Sequence, residues 1–201
     1  MLQHYFIDKE HKKEDFFEFN ENILGYNLVF KSCDSIFSKD CVDYGTKVLL
    51  QAIYNQIQIK GDVLDVGCGY GAIGIVLSRV FENVNIDMCD INNTAVSLTK
   101  NNVMANHCGK INNVFYSDAY DKVEKTDYDF IVSNPPIKAG KENLLKVLIG
   151  AYDHLKQNGE LIFVIKKKHG EDSVKKQLLN VFSSVEVIKR DSGYYILRAV
   201  K

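Results

Sequence analysis

The chain has 201 residues, 46% of them hydrophobic and 25% charged, with a formal net charge of −1. This length and balance suit one soluble domain with a sizeable core. They exclude a strongly basic nucleic-acid binder on totals alone, and no apolar run approaches the roughly 18 residues that a membrane span needs.

The first 25 residues are mixed, and "DKEHKKEDFFEFNEN" is charged enough to be solvated in part. "YNLVFKS" alternates like a strand, with Tyr26, Leu28 and Phe30 on one face. Residues 1–34 are therefore expected to form an extension with a strand or hairpin, and residues 35–201 a single main domain. "DSIFSKDCVDYG" reads as a loop. "GTKVLLQAIYNQI" has helical spacing, with Val48, Leu49, Ala52 and Ile53 on one face.

From there the pattern is regular. "DVLDVGC" predicts a strand and "GAIGIVLSRVF" a helix. "NVNIDMCD" is a strand, and "NNTAVSLTKNNVMAN" a helix capped by Asn93 or Thr94. "VFYSDA" and "YDFIVSN" are strands. "ENLLKVLIGAYDHLKQNG" is a helix closed near Gly159. "ELIFVIKK" is a strand, "EDSVKKQLLNVF" a helix, and "VEVIKR" and "YYILRAV" are strands joined by "DSG". Alternating strands and helices give an α/β fold with a mostly parallel seven-stranded sheet and helices on both faces. The last two strands are too tightly joined for a crossover and must form an antiparallel hairpin. Ligands in such sheets bind at the carboxyl ends of the strands, where strand order reverses.

Three features mark that edge. "VLDVGCGYGAIG" places Gly67, Gly69 and Gly71 between a strand and a helix, where glycine lets backbone approach a ligand. Asp65 ends the preceding strand; a carboxylate there repels a pyrophosphate but suits an ammonium or a sulfonium. Asp90 in "MCDIN" stands about twenty residues on, the place of an acid that binds ribose hydroxyls. Asp118 in "YSDAY" ends the third strand and could accept from an adenine amino group. Each acid alone also suits a helix cap or a turn. Together they outline a nucleoside pocket with an amino-acid tail, which fits S-adenosylmethionine. NAD competes, because Gly74 follows deeper in the helix and the spacing alone does not separate the two.

The next strand ends on Asn134-Pro135-Pro136, which holds the chain's only two prolines. Proline locks φ and biases the preceding residue towards extended backbone, so this turn is stiff. The Asn134 side-chain oxygen and a backbone carbonyl, that of Pro135, could converge on a planar amino group. Such an amine is a poor nucleophile, because its lone pair is delocalised into the ring. Two acceptors would orient that lone pair, and the rate would come from positioning and preorganised dipoles.

"VLDVGCGYGAIG", "CDIN", "SDAY" and "FIVSNPPIKAG" resemble the class I S-adenosylmethionine-dependent methyltransferases with an NPP motif. "IFSKDCVDYGTKVLL", "LKQNGELIFVIKKKHG" and "GYYILRAVK" are similar to the small-subunit (16S) ribosomal RNA guanine N2-methyltransferase family in its short single-domain bacterial form. The resemblance implies a Rossmann-like fold and S-adenosyl-L-methionine as cofactor. It implies cofactor contacts from Asp65, Gly67, Cys68, Gly69, Tyr70 and Gly71, from Asp90 and Ile91, from Asp118 and Ala119, and from Thr46 and Asn134. It implies that Asn134, Pro135, Pro136 and Ile137 meet the target amine, and that Phe37, Ser38, Asp43, Gly45 and Thr46 line the cofactor side or the pocket mouth, with Phe37 a candidate contact to substrate RNA. Many NPP enzymes carry an aromatic ring after the prolines, to stack on a flipped base; here that position is Ile137. Longer members carry a second half that helps hold RNA, for which 201 residues leave no room.

Contacts to RNA are therefore expected from lysines at strand ends: Lys138 and Lys141 after the NPP turn, and Lys166, Lys167 and Lys168 with His169 after the fifth strand. Phosphate neutralisation there would be local and salt-sensitive. Lys175 and Lys176 fit a solvated cluster better. Of Tyr194 and Tyr195, at least one is expected in the core. The expected activity is methylation of an exocyclic amine, foremost guanine N2 of ribosomal RNA, with the ribosomal RNA or the small subunit as partner. Protein glutamine or adenine N6 would serve the same geometry, and a non-catalytic RNA-binding assembly factor would tolerate damage to it. An NAD oxidoreductase leaves the prolines unexplained. The histidines show no ligand spacing, and the five cysteines, Cys33, Cys41, Cys68, Cys89 and Cys108, include no C-x-x-C pair; no metal or disulfide framework is expected. Reduced thiols and an N-terminus without an apolar h-region point to a cytoplasmic protein with no membrane partner.

Overall fold

The structure is a computed structural model that describes residues 16–36, 40–136, 140–167 and 170–201. A hairpin of β1 (Phe16–Ile23) and β2 (Tyr26–Cys33) precedes the main sheet. The sheet holds β3 (Gly61–Val66), β4 (Val84–Asp90), β5 (Ile111–Tyr116), β6 (Tyr128–Ser133), β7 (Leu155–Lys166), β8 (Ser184–Asp191) and β9 (Tyr194–Val200) in the order β5-β4-β3-β6-β7-β9-β8. Strands β5 to β7 pair in parallel, and β9 runs antiparallel to both of its neighbours. The mostly parallel sheet with a terminal antiparallel pair is as expected.

The central strands are apolar on both faces because both faces are covered. Phe130, Val132, Ile162 and Val164 share one core with α1 (Tyr44–Gln56), α2 (Ala72–Val80) and α3 (Asn93–Ala105). Their neighbours Ile131, Leu161, Phe163 and Ile165 point the other way, to α4 (Lys141–His154) and α5 (Glu171–Leu178). Strand order reverses between β3 and β6, so the crevice for a ligand opens between Gly67 and Asn134. The Ser133 hydroxyl donates to Val66 O at 2.7 Å and ties the two strand ends together.

The charge of "FFEFNENI" hides a strand. Phe17, Phe19, Glu21 and Ile23 alternate inward along β1, while Phe16, Glu18, Asn20 and Asn22 face solvent. In β2, Leu28 and Phe30 are buried. Two asparagines, Asn102 of α3 and Asn106 at its C-cap, satisfy the free edge of β2. Asn102 accepts from Lys31 N at 2.8 Å and donates to Lys31 O at 2.9 Å; Asn106 does the same for Val29 at 3.0 and 2.7 Å. The hairpin is thus keyed to the main sheet through a helix, and its edge is closed to other strands.

Several element ends differ from those read in the sequence; β5 ends at Tyr116, so Asp118 lies in the turn beyond it. The N-cap of α3 is Asn92, which accepts from Thr94 N and Ala95 N, so Asn93 and Thr94 already lie inside the helix. Helix α4 stops at His154, and "LKQNG" opens β7 instead. Gly159 sits at the register shift between β6 and β7, where a Cβ would come within 2.8 Å of Lys156 O and 3.0 Å of Tyr128 O. Helix α5 ends at Leu178, short of Phe182, which joins the core beneath it.

Candidate active site

Strand β3 runs straight into the glycine loop, and that loop is anchored by backbone. Gly67 N and Cys68 N both donate to Cys89 O of β4, at 2.9 and 3.0 Å. Gly69 N donates to Asp90 Oδ2 at 2.8 Å, and Gly69 O accepts from the Thr99 hydroxyl of α3 at 2.8 Å. Gly67 and Gly69 adopt φ of +73° and +59°, and a Cβ on either would meet nothing within 4 Å. Their open side is the cleft, where a bound molecule can come against the main chain. Gly74 is different: a Cβ there would strike Met88 Cε at 2.6 Å, so it serves helix–sheet packing.

Asp65 is wholly buried at the end of β3. Its Oδ2 accepts from Gly74 N at 3.0 Å, and its Oδ1 has no partner. Burial pushes the carboxyl up to about 7; the Gly74 N–H opposes this, and nearby Asp90 adds to it. A buried carboxylate oxygen with nothing to accept from is an unmet demand for a donor. An ammonium group would meet it.

Asp90 uses both oxygens within the protein, on Gly69 N and on Asn92 N at 2.9 Å. It braces the loop against the start of α3, and burial raises its pKa against the pull of those N–H groups. Each oxygen keeps a further lone pair for a hydroxyl. Asp118 is half-exposed at the rim, with its Oδ2 held by Lys146 of α4 at 2.9 Å. Ala119 adopts φ +50°, and its carbonyl accepts from Ser117 Oγ at 2.8 Å. Ile91 is half-buried beside them.

Two predicted contacts turn inward. The Tyr70 ring lies edge-on to Phe19 and Phe30, at 5.9 and 5.5 Å between centroids, inside the hairpin core. Cys68 Sγ is buried, 3.7 Å from Thr99 Oγ1. Both residues offer the cleft their backbone only.

Across the crevice, Asn134 is gripped by the start of α1. Its Nδ2 donates to Thr46 Oγ1 at 2.9 Å and to Asp43 Oδ2 at 3.3 Å. Asp43 is also the N-cap of α1, accepting from Thr46 N at 3.3 Å. A carboxylate only accepts, so the amide nitrogen must face Asp43 and the amide oxygen must face the other way. Among the described residues, nothing donates to that oxygen. Pro135 is buried and Pro136 half-buried behind it. The grip by Asp43 and Thr46 has no local sequence signal, since the partners stand 91 and 88 residues from Asn134.

The predicted lysines divide. Lys141 opens α4 and reaches Ser173 of α5 at 3.2 Å. Lys166 ends β7 with its ammonium 4.7 Å from the Tyr194 ring centroid, and Lys167 beside it is exposed. Both Tyr194 and Tyr195 are half-buried. Phe37, Ser38, Ile137, Lys138, Lys168 and His169 lie outside the described residues.

The geometry has known counterparts. The methyltransferase small domain family matches residues 27–198. An uncharacterised Bacillus subtilis protein, YbxB, is 34% identical over 202 residues and covers all of both chains. The ribosomal RNA small subunit methyltransferase C of Vibrio parahaemolyticus is 32% identical over 198 residues, covering 96% of this chain and 55% of that one. Among solved structures, a T. thermophilus 16S rRNA N2 methyltransferase in complex with AdoMet and guanosine superposes with a TM-score of 0.82 at 25% identity, over 92% of this chain and 50% of that one. The chain spans about half the length of the named ribosomal RNA methyltransferases it matches.

Proposed function

We propose, for a chain that belongs to the methyltransferase small domain family and takes S-adenosylmethionine as cofactor, that the methyl acceptor is the exocyclic N2 amine of a guanine in small-subunit ribosomal RNA. The observation that carries this reading is the oriented amide of Asn134, whose oxygen is left for a donor at the β3–β6 crevice. The guanine and the ribosomal RNA come from the relatives, which are named for that substrate.

The residues on the cofactor side suit the group. Asp65 Oδ1 would take the ammonium of the amino-acid tail, Gly67 and Gly69 would let it lie against the backbone, and Asp90 would reach the ribose. When bound, S-adenosylmethionine supplies an electrophilic methyl on a sulfonium. Asn134 Oδ1 accepts a hydrogen bond from the guanine amine, which draws its lone pair out of conjugation and aims it across the crevice. Thr46 and Asp43 hold the amide in that orientation before the substrate arrives, so no reorganisation is needed during the reaction. The amine needs no base before attack, because its proton becomes acidic only once the fourth bond to nitrogen forms. A small-subunit RNA substrate would place the enzyme in the cytoplasm.

The test is mass mapping of modified nucleosides in ribosomal RNA from cells with and without the gene. Loss of one N2-methylguanosine from 16S RNA is the expected result. Loss of an N6-methyladenosine, or no change in RNA with a methyl missing from a protein glutamine, would overturn the guanine assignment.

A further inference from the structure

Beyond Asn134, the wall formed by the ends of β7 and β9 carries a feature that the methyl-transfer chemistry does not use. Tyr44, the first residue of α1, is 47% exposed, yet it is not loose. Its hydroxyl donates to Asp191 Oδ1 at 2.9 Å and lies 3.4 Å from Ser192 Oγ, in the turn between β8 and β9. Its ring meets Tyr194 at 5.7 Å with a 55° tilt. Gly45 makes room for that second ring: a Cβ there would stand 2.6 Å from Tyr194 Cε1. Lys166 lies over Tyr194, and beside them opens a cavity of about 530 Å³ lined by Lys166, Lys167, Ser192, Gly193 and Tyr194.

We infer that this ledge of Tyr44 and Tyr194, with Lys166 and Lys167, holds a nucleotide flanking the target in an unpaired RNA strand. The inference rests on the reading that the substrate is RNA. Three observations carry it. An exposed ring fixed at its hydroxyl end loses little freedom when a base stacks on it. An ammonium over a ring, with a second lysine in the lining of the same cavity, suits a unit that carries a planar base and a phosphate together. Finally, Tyr44 stands directly between Asp43 and Gly45, with Asp43 and Thr46 gripping Asn134. A base on the ledge therefore sits against the residue next to the one that holds Asn134. The acids nearby are occupied, Asp43 by Asn134 and the start of α1, Asp191 by Tyr44 and Ser192.

The test measures binding of a short fluorescein-labelled unstructured RNA by anisotropy, which needs no turnover. Tyr44→Ala is expected to weaken binding about tenfold at constant salt. Lys167→Gln is expected to lower the slope of log affinity against log salt by about 0.7, one phosphate on a single strand. Calorimetry with S-adenosylmethionine should give wild-type affinity for both variants, which also shows that they fold. RNA affinity unchanged in both variants would overturn the ledge. So would polyglutamate binding as tightly as RNA with the same loss on Tyr44→Ala, since that polymer has no base to stack. Methylation of 16S RNA by the wild type is scored separately, so a wrong substrate assignment is told apart from a wrong ledge.

Discussion

The two walls of the crevice are made of different material. On the β3–β4–β5 side the ties have a backbone atom at one end at least and span short stretches of chain: Gly69 N donates to the buried Asp90 carboxylate over 21 residues, and Gly69 O accepts from the Thr99 hydroxyl over 30. On the β6–β7–β9 side the ties join side chain to side chain across 88 residues for Asn134 and Thr46, and 147 for Tyr44 and Asp191. A wall of backbone fits one ligand that never changes. A wall of side chains can be altered residue by residue to choose an acceptor without disturbing the cofactor.

The sharpest way to break this division is Asn134→Ala. Loss of a preorganised acceptor should lower kcat by about 10²–10³, while calorimetry finds S-adenosylmethionine bound as before. If affinity for the cofactor fell along with the rate, the two walls would not be separable.

Next comes pH. Asp65 carries its proton in the free protein up to about pH 7, and an ammonium ligand needs the carboxylate. Binding must then release a proton, so the Kd for S-adenosylmethionine should rise about tenfold for each pH unit below 7. Asp65→Asn should flatten that profile. In the free protein the same shift works against stability. The folded carboxyl titrates near 7 against an ordinary value of 3.8, so its contribution is intact below about pH 4 and is lost as pH rises to 7. The melting midpoint should fall over that window, and less so in Asp65→Asn.

Gly69→Ala should come third. A left-handed φ costs an alanine roughly 1–2 kcal/mol, and its methyl would enter the open cleft. Cofactor affinity should drop about tenfold or more by calorimetry, with RNA affinity unchanged by anisotropy.

Thr46→Val has the smallest effect and sharpens most. The resemblance puts Thr46 with the cofactor, whereas its hydroxyl stands 2.9 Å from the Asn134 amide. Losing one such bond is worth about 1 kcal/mol. A fall in kcat of roughly fivefold with an unchanged cofactor Kd would place the hydroxyl on the acceptor wall; the reverse split would move it to the other.

The same contrast explains what could be read in the sequence. Gly67, Gly69, Asp65 and Asp90 sit at strand ends within one stretch, so spacing alone singles them out as candidates. Asn134 stood out because the only prolines follow it, but its partners were invisible until α1 was folded against β6. Tyr70 shared the loop with the glycines, and nothing local showed that its ring would turn to Phe19 and Phe30. The alternation in β1 was present but masked by glutamates and asparagines. The hairpin of β8 and β9 was legible from its turn, and its place in the sheet was not.

That place sets an order of assembly. Strand β9 comes last, yet it wedges between β7 and β8, and its Tyr194 is seated on Gly45 near the start of the domain. A chain made from its N-terminus can complete the glycine loop early. The ledge of Tyr44 and Tyr194 is completed later, because Tyr44 has to wait for Asp191 and Tyr194 of β8 and β9.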